Sequence, residues 1–128
     1  MAEFNADLKA IAEKLVAHCM AGTEEAGLTE LYAADAVSVE ALPMGDMGAE
    51  AAGLEAIKGK HDWWNNTMEV HSADVKGPYL HGDDQFAVWF QIDATDKTTG
   101  ERSEMSEVGV YTVKGGKIVR EAFFYALS

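Results

Sequence analysis

The chain has 128 residues, 48% of them apolar, with 22 acidic against 10 basic side chains and a formal net charge of −12. That length predicts one domain over residues 1–128, able to bury somewhat under ~70% of its unfolded surface. So acidic a surface repels phosphate backbones and anionic lipid, so neither nucleic acid nor a membrane is an expected partner. Cys19 is the only cysteine, which excludes an intrachain disulfide. No basic and apolar leader and no membrane-length apolar run is present, so a cytoplasmic location is expected.

In chain order, residues 4–20 read as an amphipathic helix. Phe4, Leu8, Ile11, Leu15 and Cys19 recur at spacings of three and four, which places them on one face. Gly22 ends it, and His18 near its end reads as a cation favoured by the helix dipole. A short second helix is expected over 28–34, with Leu28, Leu31 and Tyr32 on its apolar side. Asp35 breaks it, and a strand follows over 36–42. Its alternation puts Ala36, Ser38 and Glu40 on one face and Val37, Val39 and Ala41 on the other. Which face turns inward is left open by the pattern. The loop 43–53 holds three glycines and one proline.

A third helix is expected over 54–68, where Leu54, Ile57, His61, Trp64 and Met68 share a face. After Glu69 the period changes to two. Val70–Leu80, Gln85–Thr95, Arg102–Lys114 and Lys117–Leu127 read as strands rich in Val, Ile, Phe, Tyr and Trp. Gly82-Asp83-Asp84, Asp96 to Gly100 and Gly115-Gly116 supply the hairpin turns, the last a two-residue signal because both glycines accept positive φ. Three helices and five strands ending in an antiparallel meander predict an α+β fold. The aromatics of that meander, among them Phe86, Trp89, Phe90, Tyr111, Phe123, Phe124 and Tyr125, exceed what one covered face can hide. A homodimer through the sheet is therefore expected.

The order of helix, LYAADA, short strand, Pro/Gly loop, GLEAI helix and a meander closing in KGGKIV resembles the NTF2-like superfamily, in its SnoaL-like and ketosteroid-isomerase-like branch. The resemblance covers nearly the whole chain. It implies a cone of strongly curved antiparallel sheet wrapped by three N-terminal helices around a pocket, and a small, largely apolar molecule held there. Such folds host isomerases, cyclases, epoxide hydrolases and domains without activity, so it implies a pocket and not a reaction. The isomerase's general-base carboxylate falls on Glu40. Its first-helix oxyanion tyrosine falls on Leu15, and its neutral carboxylic acid falls near Val108 or Gly109, with Glu107 close by. A tyrosine of its third helix falls on His61. Asp93 matches one member of the limonene-epoxide-hydrolase set, but Gln91 and Phe123 replace the others. Neither the steroid isomerase reaction nor that hydrolysis is implied.

Two readings follow for function. In one, Glu40 takes a proton from carbon and His61 donates or relays one, the two facing one cavity within hydrogen-bond reach directly or through one water. A carboxylate in an apolar cavity has its pKa raised toward neutrality, which suits it to that task. In the other, the domain binds a hydrophobic ligand, or only dimerises, without chemistry. Leu15, Tyr32, Trp64, Trp89, Glu107, Tyr111 and Tyr125 are candidate pocket residues. Glu104 and Glu107 alternate in direction, and the pattern does not say which points inward. One cysteine and four scattered histidines show no ligand spacing, so no metal or other cofactor is expected. There is no Gly-rich phosphate loop and no G-x-S-x-G elbow.

Overall fold

A computed structural model describes residues 6–43 and 48–126. Its elements are α1 (Ala6–Ala21), α2 (Glu24–Leu31), β1 (Tyr32–Val39), β2 (Glu50–Ala52), α3 (Leu54–Thr67), β3 (Met68–His81), β4 (Gln85–Asp96), β5 (Arg102–Lys114) and β6 (Lys117–Phe124). The strands form one curved, open sheet in the order β2-β1-β6-β5-β4-β3. The helix–sheet division and the three hairpins stand as expected. No helix among the described residues is long and apolar enough to cross a membrane.

The structure departs from the sequence expectation in strand count, in pairing and in the bounds of several elements. The sheet has six strands, not five, because Glu50–Ala52 pairs antiparallel with β1. It is mixed rather than antiparallel, because β1 lies parallel to β6. The second helix occupies 24–31, not 28–34. Thr23 stands at its N-cap and Glu24 and Glu25 fill its first turn, where carboxylates suit the helix dipole. Tyr32 to Ala34 are consequently strand: Tyr32 is already extended and pairs with Ile118 of β6. Ladder pairing outweighs the helix preference of Ala33-Ala34, and β1 ends at Val39 instead of Leu42. The last strand ends at Phe124, and Leu127 lies outside the described residues, as do Phe4 and residues 44–47 of the loop.

Strand parity then decides the faces. One row runs Phe86–Tyr111–Glu121–Ser38 across β4, β5, β6 and β1. Phe86, Tyr111, Ser38 and Glu121 are all buried, so this is the face the helices cover. Leu8, Ile11, Leu15 and Val16 of α1, Leu28 and Leu31 of α2 and Ile57 of α3 pack on it in one apolar core. Phe86 stacks on Tyr111 with ring centroids 4.8 Å apart, and Tyr111 meets Phe123 edge-on at 6.2 Å. The opposite face carries the rows Ala87–Val110–Ala122–Val39 and Trp89–Val108–Phe124. The meander aromatics are therefore divided between two faces, as their number implied.

Candidate functional site

Parity puts Ala36, Ser38 and Glu40 inward and leaves Val37 and Val39 on the outer face. Glu40 follows the last residue of β1, and its backbone N–H donates to the Ala49 carbonyl at 2.7 Å. Its carboxylate is about a tenth exposed. One oxygen accepts from the Lys60 ammonium at 2.5 Å, and the other from the Tyr125 hydroxyl at 3.1 Å. Tyr125 in turn accepts from the Leu42 N–H at 3.3 Å. The position the resemblance picked out thus holds a paired carboxylate on the inner wall.

Lys60 is the residue the sequence reading passed over. It lies on α3 three residues after Ile57 and four before Trp64, so it satisfies the helical period as well as His61 does. It is buried, and Ile57 beside it is fully so. Its ammonium also donates to Ser38 Oγ at 2.6 Å and lies 4.5 Å from the centre of the Phe123 ring. A lysine on an apolar helix face reads as solvated from sequence, because lysine is almost never buried without partners. Here the partners come from β1.

The expected pairing of Glu40 with His61 is replaced by this contact. No hydrogen bond joins the two among the described residues. Adjacent helix positions differ by about 100°, so turning Lys60 to the sheet turns His61 to the flank. Burial pushes the His61 imidazole below its ordinary value, and the Lys60 charge adds to that. Asp62 and Glu25 of α2 pull it back. The upward pull expected from Glu40 is not among the causes.

Behind Lys60 lies a second carboxyl. Glu121 on β6 is 2% exposed. It accepts the Tyr32 hydroxyl at 2.5 Å and stands opposite Ser38 in the β1–β6 register. Burial pushes its carboxyl up, while Tyr32, Lys60 and Ser38 pull it back down. Burial and the Glu121 charge likewise raise both Tyr32 and Tyr111. Sequence gave no sign of Glu121 beyond one acidic letter in an apolar strand.

The third carboxyl is Glu107, opposite Phe90 on the inner face of β5. Glu104 pairs with Asp93 on the outer face and is exposed, which settles the alternative left open above. Gly109, two residues on, pairs with Phe123. Burial first, with the Glu40 and Glu121 charges, pushes the Glu107 carboxyl up to about 7 against the downward pull of Lys60. A half-buried carboxyl near neutrality, one ammonium and one paired carboxylate together resemble the pattern of acid–base sites.

The remaining candidates divide. Leu15 and Tyr111 are core, Tyr111 with its ring along Gly109. Tyr32 and Tyr125 join the polar cluster. Trp64 is half-buried on the Ile57–Lys60 side of α3. Trp89 is on the outer face, where the Lys76 ammonium lies 4.9 Å from its ring centre. Of the epoxide-hydrolase positions, Asp93 is bound by Arg102 in two bonds of 2.9 and 2.8 Å on the outer face, away from the cluster. His18 bridges Thr23 and Glu30, tying α1 to α2. No group of three or more His, Cys, Asp or Glu arranged to hold a metal occurs among the described residues.

Comparison with known proteins agrees with this architecture. The profile described as a SnoaL-like domain matches residues 8–125. A crystal structure of a SnoaL-like polyketide cyclase candidate from Mesorhizobium loti is 42% identical, with a TM-score of 0.85, covering 91% of this chain and 97% of that one. A candidate isomerase from Bacillus subtilis is 20% identical, with a TM-score of 0.72, over 94% of this chain and 86% of that one. A ketosteroid-isomerase-like protein from Catenulispora acidiphila, solved with trimethylamine, is 23% identical, with a TM-score of 0.70, over 92% and 86%. No curated protein matches the chain. By its matched domain and its fold, the chain belongs to the SnoaL-like family, within the NTF2-like, ketosteroid-isomerase-like fold group.

Proposed function

We propose that the protein moves a proton on a small, largely apolar carbonyl compound held against the inner wall, in isomerase, cyclase or lyase chemistry. The observation that carries this reading is Glu107, a carboxyl near neutrality on the same face as the Lys60 ammonium. Glu107 takes the proton from the carbon next to the carbonyl. The electron pair passes to the carbonyl oxygen, where the Lys60 charge stabilises the enolate. Where the substrate carries a β,γ double bond the intermediate is a dienolate, and Glu107 returns the proton to its γ-carbon, moving the double bond to α,β and completing an isomerisation. In a cyclisation, the enolate carbon instead bonds to a second carbonyl of the same molecule, and Glu107 protonates the new alkoxide. Glu40, the base position that the family resemblance implies, holds Lys60 in place and shares its charge. His61 stands one position off the cluster and carries no step.

Deuterium exchange tests this directly. The protein is incubated in D₂O with cyclic ketones and 1,3-dicarbonyl compounds, and label at the α-carbon is read by mass spectrometry. Glu107→Gln and Lys60→Met should each lower the rate by about 10²-fold or more. Exchange no faster than buffer for the whole panel leaves the ligand-binding reading.

We also propose that a second copy of the chain covers the outer face. The two apolar rows of that face are continuous from β4 to β6, and the first reaches β1. Phe124 at their edge is 61% exposed. A patch of this kind usually marks an interface.

A further inference from the structure

Glu121 is the costliest residue of the cluster and has no role in the chemistry proposed above. A carboxyl buried to 2% exposure gives up its hydration, and an apolar side chain of similar volume would be as stable or more so at such a site. What it gains is a set of hydrogen bonds that point one way. Tyr32 donates to Oε1, and Ser38 lies directly opposite Glu121 in the β1–β6 register on the same buried face. The Ser38 oxygen accepts from the Lys60 ammonium at 2.6 Å; an ammonium takes no proton in return, so the Ser38 hydroxyl proton is left to the Glu121 carboxyl opposite it. The ammonium's second donor is fixed on Glu40 at 2.5 Å. The donors thus run one way, from Tyr32 and Ser38 toward the carboxyl and from the ammonium into Ser38 and Glu40.

We infer that Tyr32 and Glu121 are positioning residues for Lys60, acting through Ser38: they orient the Ser38 hydroxyl so that it accepts from the ammonium and holds it beside Glu40. The inference rests on the role proposed for Lys60 and deepens it. The chain of partners starts at the first residue of β1, crosses to β6, returns to β1 and ends on α3. Three elements therefore fix one cation. The groups facing Lys60 are Ser38 from β1 and Glu40 just after it, Glu121 and Phe123 from β6, and Glu107 from β5.

The test uses the ligand-free protein and does not depend on turnover. An ammonium held by fixed acceptors exchanges its protons slowly enough to give a side-chain ¹H–¹⁵N signal. Lys60→Met assigns that signal. Tyr32→Phe removes a hydroxyl two partners away from Lys60 without changing charge. Glu121→Gln turns one acceptor oxygen into an NH₂ donor, so the Tyr32 and Ser38 protons must crowd onto the remaining oxygen or meet a donor. Both variants should speed Lys60 proton exchange by about fivefold or more, and both should move the carboxyl midpoint of Glu107 in ¹³C titration away from the unsubstituted protein's. Tyr32→Phe, which alters no charge, should move it upward, because Lys60 is the group that holds it down. A packing role alone would lower stability and leave both signals in place. Unchanged Lys60 exchange in whichever of the two variants folds overturns the inference, even if α-carbon exchange is found. If the signals move as expected but no ketone exchanges, the positioning stands and the proposed reaction falls.

Discussion

Replacing Glu107 by glutamine should make the protein more stable, and by an amount that grows with pH. The carboxyl titrates at about 7 in the folded chain and at the ordinary 4.5 when unfolded. Between those values the folded protein keeps a proton that the unfolded chain has released. Stability from this group is therefore full below pH 4.5, falls as pH rises through the window, and levels off above 7. At about 1.4 kcal/mol per pH unit the cost reaches ~3.3 kcal/mol at pH 8, of which ~0.8 is already present at pH 5. Glutamine keeps the shape and cannot ionise, so it removes the slope. Urea unfolding followed by tryptophan fluorescence, run on both chains at pH 5 and pH 8, reads the difference. The other carboxylates are common to both chains and largely cancel. The advantage of the Gln variant should grow by ~2.5 kcal/mol between the two pH values. Burial and the Glu40 and Glu121 charges are the sources of the effect. An advantage that is the same at both pH values within ~0.5 kcal/mol, well below the ~2.5 expected, would show that Glu107 is ordinary and would remove the main support for acid–base chemistry.

Four further outcomes are expected. Lys60→Met should cost about 3 kcal/mol by leaving Glu40 without its cation, and adding Glu40→Gln should recover most of it; equal stability of the single and double variants in thermal melts would contradict the pairing. Gly109→Ala should cost about 1–3 kcal/mol, since an added Cβ would stand 3.0 Å from the Tyr111 ring and 3.1 Å from Phe123; an unchanged melting temperature would mean the rings move freely. Cys19, pushed up to about 12 by burial and then by the Glu24 and Glu121 charges, should resist a thiol reagent at pH 8 until urea unfolds the chain, and prompt labelling of the folded protein would disprove it. Sedimentation at micromolar concentration should give twice 13.8 kDa and Trp89→Glu should shift it toward the monomer; a monomeric parent protein ends the proposed interface.

The sequence by itself determined the order of helices and hairpins. Period-two alternation and glycine turns are local signals, and Gly115 and Gly116 adopt the positive φ their hairpin requires, 58° and 76°. It also determined that Ser38 and Glu40 share a face, since strand parity is a property of the backbone. Only the tertiary structure decided which face that was. Val37 and Val39 offered an apolar alternative, and the choice rested on Glu121 and Tyr111 lying beside Ser38 in the same row. The parallel pairing of β1 with β6 joins residues from opposite ends of the chain, and no local pattern encodes it. Lys60 was illegible for the same reason. Positions 60 and 61 fit the helical period equally well, and a histidine is the easier residue to bury alone. A lysine goes inside only where acceptors wait for it. Those acceptors, Ser38 and Glu40, stand on a different element, so the burial of this charge is a property of the assembled fold and not of the helix that carries it.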